Sequence, residues 1–121
     1  KKGDILITRT SETVDELAMS CVALKDYPRA THSGFVKRLR PKTTGIVYDK
    51  YMAFFLRSKY FRKVINSNTI MTLRASFNED IFSFLTLYLP DYEEQVKIGD
   101  MLYNIERKIS INKKINDNLA A

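Results

Sequence analysis

The chain has 121 residues, 45% of them hydrophobic and 28% charged, with a formal net charge of +6. That length supports one domain with a modest core, and the balance is that of an ordinary globular chain rather than a disordered one. No apolar run reaches the ~18 residues of a membrane-spanning helix, and the charged start Lys1-Lys2-Gly3-Asp4 is not a signal peptide.

The first predicted element is a strand from Asp4 to Arg9, alternating around Ile5 and Ile7, followed by a polar loop through Thr10, Ser11, Glu12 and Thr13. A second strand is expected from Cys21 to Lys25, ended by Asp26-Tyr27-Pro28. A third runs from Phe35 to Arg40 and is ended by Pro41. Cys21 is read as a small buried residue. A single cysteine cannot form an internal disulfide, which favours a reducing, cytoplasmic setting.

Between Asp49 and Asn66 the period becomes helical, with Ser58-Lys59 as a break between two short helices. Tyr51, Met52, Phe54, Phe55, Tyr60, Phe61, Val64 and Ile65 form its apolar face. A domain this small needs such rings for burial, so they are read as core rather than as a base-stacking platform. A polar segment from Asn66 to Ser76 follows, then a short helical turn begun by Asn78-Glu79-Asp80. Phe84 to Leu89 reads as the last strand.

Pro90 closes that strand and Asp91 is the expected N-cap of a helix from Tyr92 to the end of the chain. Glu93 and Glu94 occupy the first turn, where carboxylates suit the helix dipole. Ile98, Leu102, Ile105 and Ile109 recur in alternating steps of four and three, the spacing of a helix-pairing seam. The seam turns polar at Asn112 and Asn116, while Ile111, Ile115 and Leu119 form a shifted stripe. A helix of roughly 30 residues is about 45 Å long, more than a small body needs to cover itself. The helix is therefore expected to project and to meet a partner. The fold class expected is α+β: a small, mostly antiparallel sheet, two short helices and a long C-terminal helix resembling a coiled-coil strand. Two functional parts follow, 1–90 and 91–121.

Charge divides at the same place. Residues 1–90 hold 15 Lys and Arg against 8 Asp and Glu, a net +7, whereas residues 91–121 hold 5 against 6, a net −1. A basic body suits a polyanion and a neutral, striped helix suits protein. Catalytic signatures are missing from the sequence. His32 is the only histidine and Cys21 the only cysteine, and no phosphate loop, dinucleotide fingerprint or nucleophile elbow appears. Glu93 and Glu94, about 100° apart on a helix, are read as dipole partners rather than acid and base. The candidates for function are instead Arg9, Thr10 and Ser11 after the first strand, and Lys37, Arg38, Arg40 and Lys42 around the third. His32 in the turn Thr31-His32-Ser33-Gly34 joins them. Guanidinium groups can grip guanine edges or phosphate, while Lys and hydroxyl groups mostly grip phosphate. Arg57, Lys59, Arg62 and Lys63 are read as a solvated helix face.

Leu89-Pro90, Glu93-Glu94-Gln95, Lys97-Ile98 and the later Lys108-Ile109-Ser110-Ile111-Asn112-Lys113-Lys114-Ile115-Asn116 together resemble the end of a half-repeat in specificity subunits of type I restriction-modification systems. Lys2-Gly3-Asp4-Ile5-Leu6-Ile7-Thr8-Arg9-Thr10, Phe35-Val36-Lys37-Arg38-Leu39-Arg40-Pro41 and Tyr51-Met52-Ala53-Phe54-Phe55-Leu56-Arg57-Ser58 are similar to earlier segments, in the family's order. The resemblance implies a noncatalytic module that recognises double-stranded DNA, 1–90 being part of a target-recognition domain and 91–121 its spacer helix. It also implies methyltransferase and restriction subunits as partners, and a split target read by two recognition halves whose helices pack together. Two copies of one half would read a palindrome. S-adenosylmethionine, magnesium and ATP would serve those partners, so no cofactor is assigned to this chain. Arg74 falls where the family has a DNA-facing loop. The family also has a segment before the Lys2-Gly3-Asp4 position, so the chain is read as a fragment, an incompletely represented chain or a naturally short product. A second reading makes the chain a protein-interaction module working through its helix alone, and a third an enzyme completed by that segment.

Overall fold

Isoleucines at alternate positions make one face of β1 (Ile5–Thr8) apolar, and the strand lies at the centre of a three-stranded antiparallel sheet. It pairs with β3 (Ser20–Val22) on one side and β4 (Val36–Leu39) on the other. The register puts Ile5 level with Val22 and Leu39, and Ile7 level with Ser20 and Lys37. These rows face the core, while Leu6, Cys21 and Arg38 share the outward row. The computed structural model describes residues 1–11, 16–68, 75, 76, 83 and 85–120. Within them β2 (Thr10–Ser11) pairs antiparallel with β5 (Ala75–Ser76).

Two helices cover the inward face of the sheet. Helix α1 spans Asp49–Phe55 and α2 spans Lys59–Asn68, separated by a turn at the break that the sequence suggests. Ser58 caps α2 by accepting the Phe61 N–H on its hydroxyl at 3.2 Å. Met52, Leu56, Phe61 and Ile65 reach Ile5, Ile7, Leu17 and Ala18 to form the core. Burying a side chain such as Phe61 or Ile65 contributes about 1.5–3 kcal/mol, so this small cluster carries much of the stability. Tyr51 and Phe55 extend it as a stacked pair with ring centroids 5.6 Å apart.

Helix α3 (Tyr92–Ala120) begins as expected: the Asp91 carboxylate accepts the Glu94 N–H at 2.8 Å, and its carbonyl accepts the Gln95 N–H at 3.0 Å. Its 29 residues make it about 43 Å long. Only the first half meets the body, against α1. Every residue from Asn104 to Ala120 is exposed, including Ile105 at 51% and Ile109 at 63%.

Four expectations need correction. Cys21 is exposed, because it sits in the outward row while Ser20 and Val22 face inward. Its strand runs Ser20–Val22 rather than Cys21–Lys25. Thr10 and Ser11 form a ladder instead of a loop. Leu85 to Leu89 form no strand: Leu85, Leu87 and Leu89 pack on the core and Thr86 and Tyr88 face out, an extended alternation that pairs with no neighbouring strand among the described residues. The polar segment around Ile70, Met71 and Leu73 and the turn from Asn78 to Asp80 lie outside the described residues.

Candidate nucleic-acid interface

Three chain segments meet at one end of the sheet, where β1 leaves and β4 begins. The Arg9 N–H donates to the Phe35 carbonyl at 2.8 Å, tying the end of β1 to the turn that carries His32. Thr10 and Ser11 continue into the ladder with Ser76 and Ala75, so the segment ending at β5 joins the same end. The returning limb is pinned from below. Thr8 Oγ1 donates to the Glu16 carbonyl at 3.0 Å and accepts the Met19 N–H at 2.9 Å, and the Arg62 guanidinium donates to the Leu17 carbonyl. Arg62 therefore braces this end rather than serving as part of a solvated face. Ala18, fully buried between these contacts, is held at φ 60°, a left-handed conformation that non-glycine residues seldom adopt.

On that scaffold Arg9 and His32 are exposed, and the His32 ring lies 3.2 Å from the Ser33 carbonyl through Nδ1. Phe35, expected as an ordinary first strand residue, is 72% exposed beside Arg9. Arg38 is also exposed, on the outward face of the sheet. Lys37 is half-buried in the Ile7 row, so its neighbour in sequence and not Lys37 itself looks outward. Arg74 lies outside the described residues, although Ala75, which follows it, pairs with Ser11.

The remaining candidates sit at the opposite end of the sheet, the length of β4 away, about 13 Å for four residues. Arg40 is engaged there: its Nε and Nη2 donate to the two carboxylate oxygens of Asp4 at 2.6 and 2.7 Å. Asp4 is buried, and this two-pronged contact holds its carboxyl well below the usual carboxylate range. The partnership was legible from the register, since the Ile5 and Leu39 pair puts residues 4 and 40 opposite each other. Lys42 is exposed just beyond, between Pro41 and Thr43, which help to line an open basin of about 400 Å³ together with Lys2, Arg40 and Thr44.

The helix seam also divides. Ile98 and Leu102 are half-buried against the body, whereas Ile105, Ile109, Ile115 and Leu119 are exposed along the projecting half. Gln95 and Gly99, which the apolar period skips, make the tightest contacts of α3. The Gln95 side chain, 1% exposed, donates to the carbonyls of Ile46 and Pro90 at 3.0 and 2.9 Å and accepts the Tyr48 N–H at 3.0 Å. Asp100 accepts hydrogen bonds from the Tyr48 hydroxyl at 2.8 Å and from Lys50 Nζ at 2.6 Å. The Lys50 contact holds the Asp100 carboxyl below its ordinary value, while burial pushes the Tyr48 hydroxyl up.

Among the described residues no group of three or more His, Cys, Asp or Glu side chains could hold a metal ion, and no helix is long and apolar enough to cross a membrane. The arrangement offers charge, hydrogen-bond donors and an exposed ring at one rim, and an uncovered helix face at the other extreme of the chain. The family model of the type I restriction modification DNA specificity domain matches residues 1–121. No curated protein and no solved structure matches the chain.

Proposed function

This chain belongs to the family of type I restriction modification DNA specificity domains, a family of DNA recognition, and from that premise we propose how its parts divide the work. Residues 1–90 are a target-recognition body that reads one part of a split DNA target without catalysing a reaction. Residues 91–121 are the spacer and pairing helix, which meets a second recognition half or a second copy. Methyltransferase and restriction subunits, acting in the cytoplasm, supply the chemistry, and the chain itself takes no cofactor.

The observation that carries this reading is the meeting of Arg9, the His32 turn and the β2–β5 ladder at one end of the sheet. A scaffold that exposes a guanidinium and an imidazole at one end of the sheet suits a groove, where phosphate contacts set position and side-chain donors read base edges. Arg40, held by Asp4, supports the sheet edge, and of the two candidates at the far end Lys42 is the one left to meet phosphate.

The test is DNA binding by the chain assembled with its methyltransferase partner, measured at about 50 and 200 mM salt. Affinity for duplex DNA should fall steeply over that range. A second reading, an interaction module acting only through α3, draws support from the exposure of Ile105, Ile109, Ile115 and Leu119. That reading requires assembly without salt-sensitive DNA binding by this chain, so the same titration separates the two.

A further inference from the structure

Gly99 has no room for a side chain. A Cβ built there would lie 2.7 Å from the Tyr51 backbone nitrogen and 3.1 Å from the Tyr51 Cα, so α3 crosses α1 with the two backbones in direct contact. One turn earlier, Gln95 uses both amide hydrogens and its carbonyl oxygen on three backbone groups from two segments: Ile46 and Tyr48 ahead of α1, and Pro90 at the entry to α3. Immediately after Gly99, Asp100 takes Tyr48 and Lys50. These contacts fix position and direction together. Apolar side chains alone slide over one another, whereas a buried amide with three partners has one satisfied geometry.

The length of the lever makes that direction consequential. From Gly99 to Ala120 is 21 residues, about 32 Å of helix, so a swing of roughly 6° about Gly99 moves the tip by about 3.4 Å, the rise of one base pair. We propose that Gln95 and Gly99 are positioning residues that set the spacing between the two parts of the DNA target, by locking the angle between the recognition body and its projecting helix. The inference rests on the split-target reading and deepens it. The docking contacts touch no DNA; they act through the helix they hold.

The experiment uses the full chain assembled with its methyltransferase partner and a library of duplexes in which the two half-sites are kept and the spacer between them varies by single base pairs. Gln95→Met removes the three hydrogen bonds while keeping the length of the side chain, and Gly99→Ala forces the helices apart. Each should lower the preference for the best spacer over its one-base-pair neighbours by about tenfold, the equivalent of one hydrogen bond of roughly 1.4 kcal/mol. Base preference within each half-site should stay as in the unaltered chain. Because the readout is a ratio between spacers, a variant that folds only in part reports it as faithfully as one that folds fully. A purely structural role lowers the melting temperature and weakens binding at every spacer alike; unchanged spacer ratios in both variants overturn the proposal. A wild-type assembly that shows no spacer preference at all removes instead the split-target reading on which it rests.

Discussion

The guanidinium groups of Arg9 and Arg38 suit base edges, whereas the Lys42 ammonium mostly suits phosphate, and the structure separates Arg9 from Lys42 by position as well as by chemistry. If either arginine pairs with a guanine, its change to Ala costs about 1–3 kcal/mol at the specific site and relaxes preference at one base position. Lys42→Ala is expected to weaken specific and random DNA alike and to make the log-affinity against log-salt line shallower by about one. Measured in the assembled complex, unchanged affinity, preference and slope in all three variants would move the DNA face away from this surface. Asp4 gives a prediction independent of DNA. Its folded carboxyl is held, chiefly by Arg40, below the roughly 3.9 of an unfolded aspartate, so its stabilisation is fully present above that value and drains away as pH falls below it. Asp4→Asn should therefore lower the melting temperature by several degrees near neutrality, and the gap from wild type should narrow below about pH 4. Melting curves with a constant gap across that window would contradict the assignment. At this scale the sequence named the charged residues but could not tell Arg40 from Arg38. Residues 38 and 40 share a face by strand alternation, and only the register reveals that Arg40 stands opposite Asp4 while Arg38 stands opposite Leu6.

Helix α3 shows why some elements are readable in a sequence and others are not. Asp91, Glu93 and Glu94 gave its start, because capping and dipole effects are local, and the hydrogen bond from Glu94 to Asp91 follows directly. The same local logic located the break before α2 at Ser58. It failed at Leu85 to Leu89, where Leu85, Leu87 and Leu89 pack on the core as a strand's residues would, but alternation cannot tell whether a neighbouring strand completes a ladder. It also passed over Gly99, whose contact depends on a segment 48 residues earlier. Intrinsic helix preference makes Gly99→Ala stabilising by about 1 kcal/mol, while forcing a methyl group against the Tyr51 backbone costs about 1–3 kcal/mol. The clash meets backbone rather than the end of a flexible side chain, which puts the cost toward the upper end of that range: net destabilisation of up to about 2 kcal/mol is expected in thermal or denaturant unfolding. A variant more stable than wild type would mean that the two helices do not touch there.

At the scale of the whole molecule, the chain ends in some 25 Å of helix, from Asn104 to Ala120, that its own body does not cover. Ile105 and Ile109 continue the seam begun by Ile98 and Leu102. The two isoleucines stand exposed to water on a helix face that the body does not reach, and a second helix is the shape that covers them. Asn112 and Asn116 fall in the same line. A buried amide layer fits a defined register, because an Asn facing an isoleucine would lose its hydrogen bonds to water without replacement. The double change Ile105→Asp and Ile109→Asp places two carboxylates in the seam. Each must either be buried without a partner or force the contact open, and the second is far less costly. Light scattering of the purified chain, or of the assembly with its methyltransferase partner, should then show loss of the helix-mediated species, while the fold of the body, monitored by its melting transition, stays intact because neither residue touches the core. An unchanged mass would exclude this seam as the joint and leave the helix to act through its other stripe, Ile111, Ile115 and Leu119. The corresponding change Ile115→Asp tests that stripe, and a mass unaffected by either substitution removes helix pairing from the account altogether.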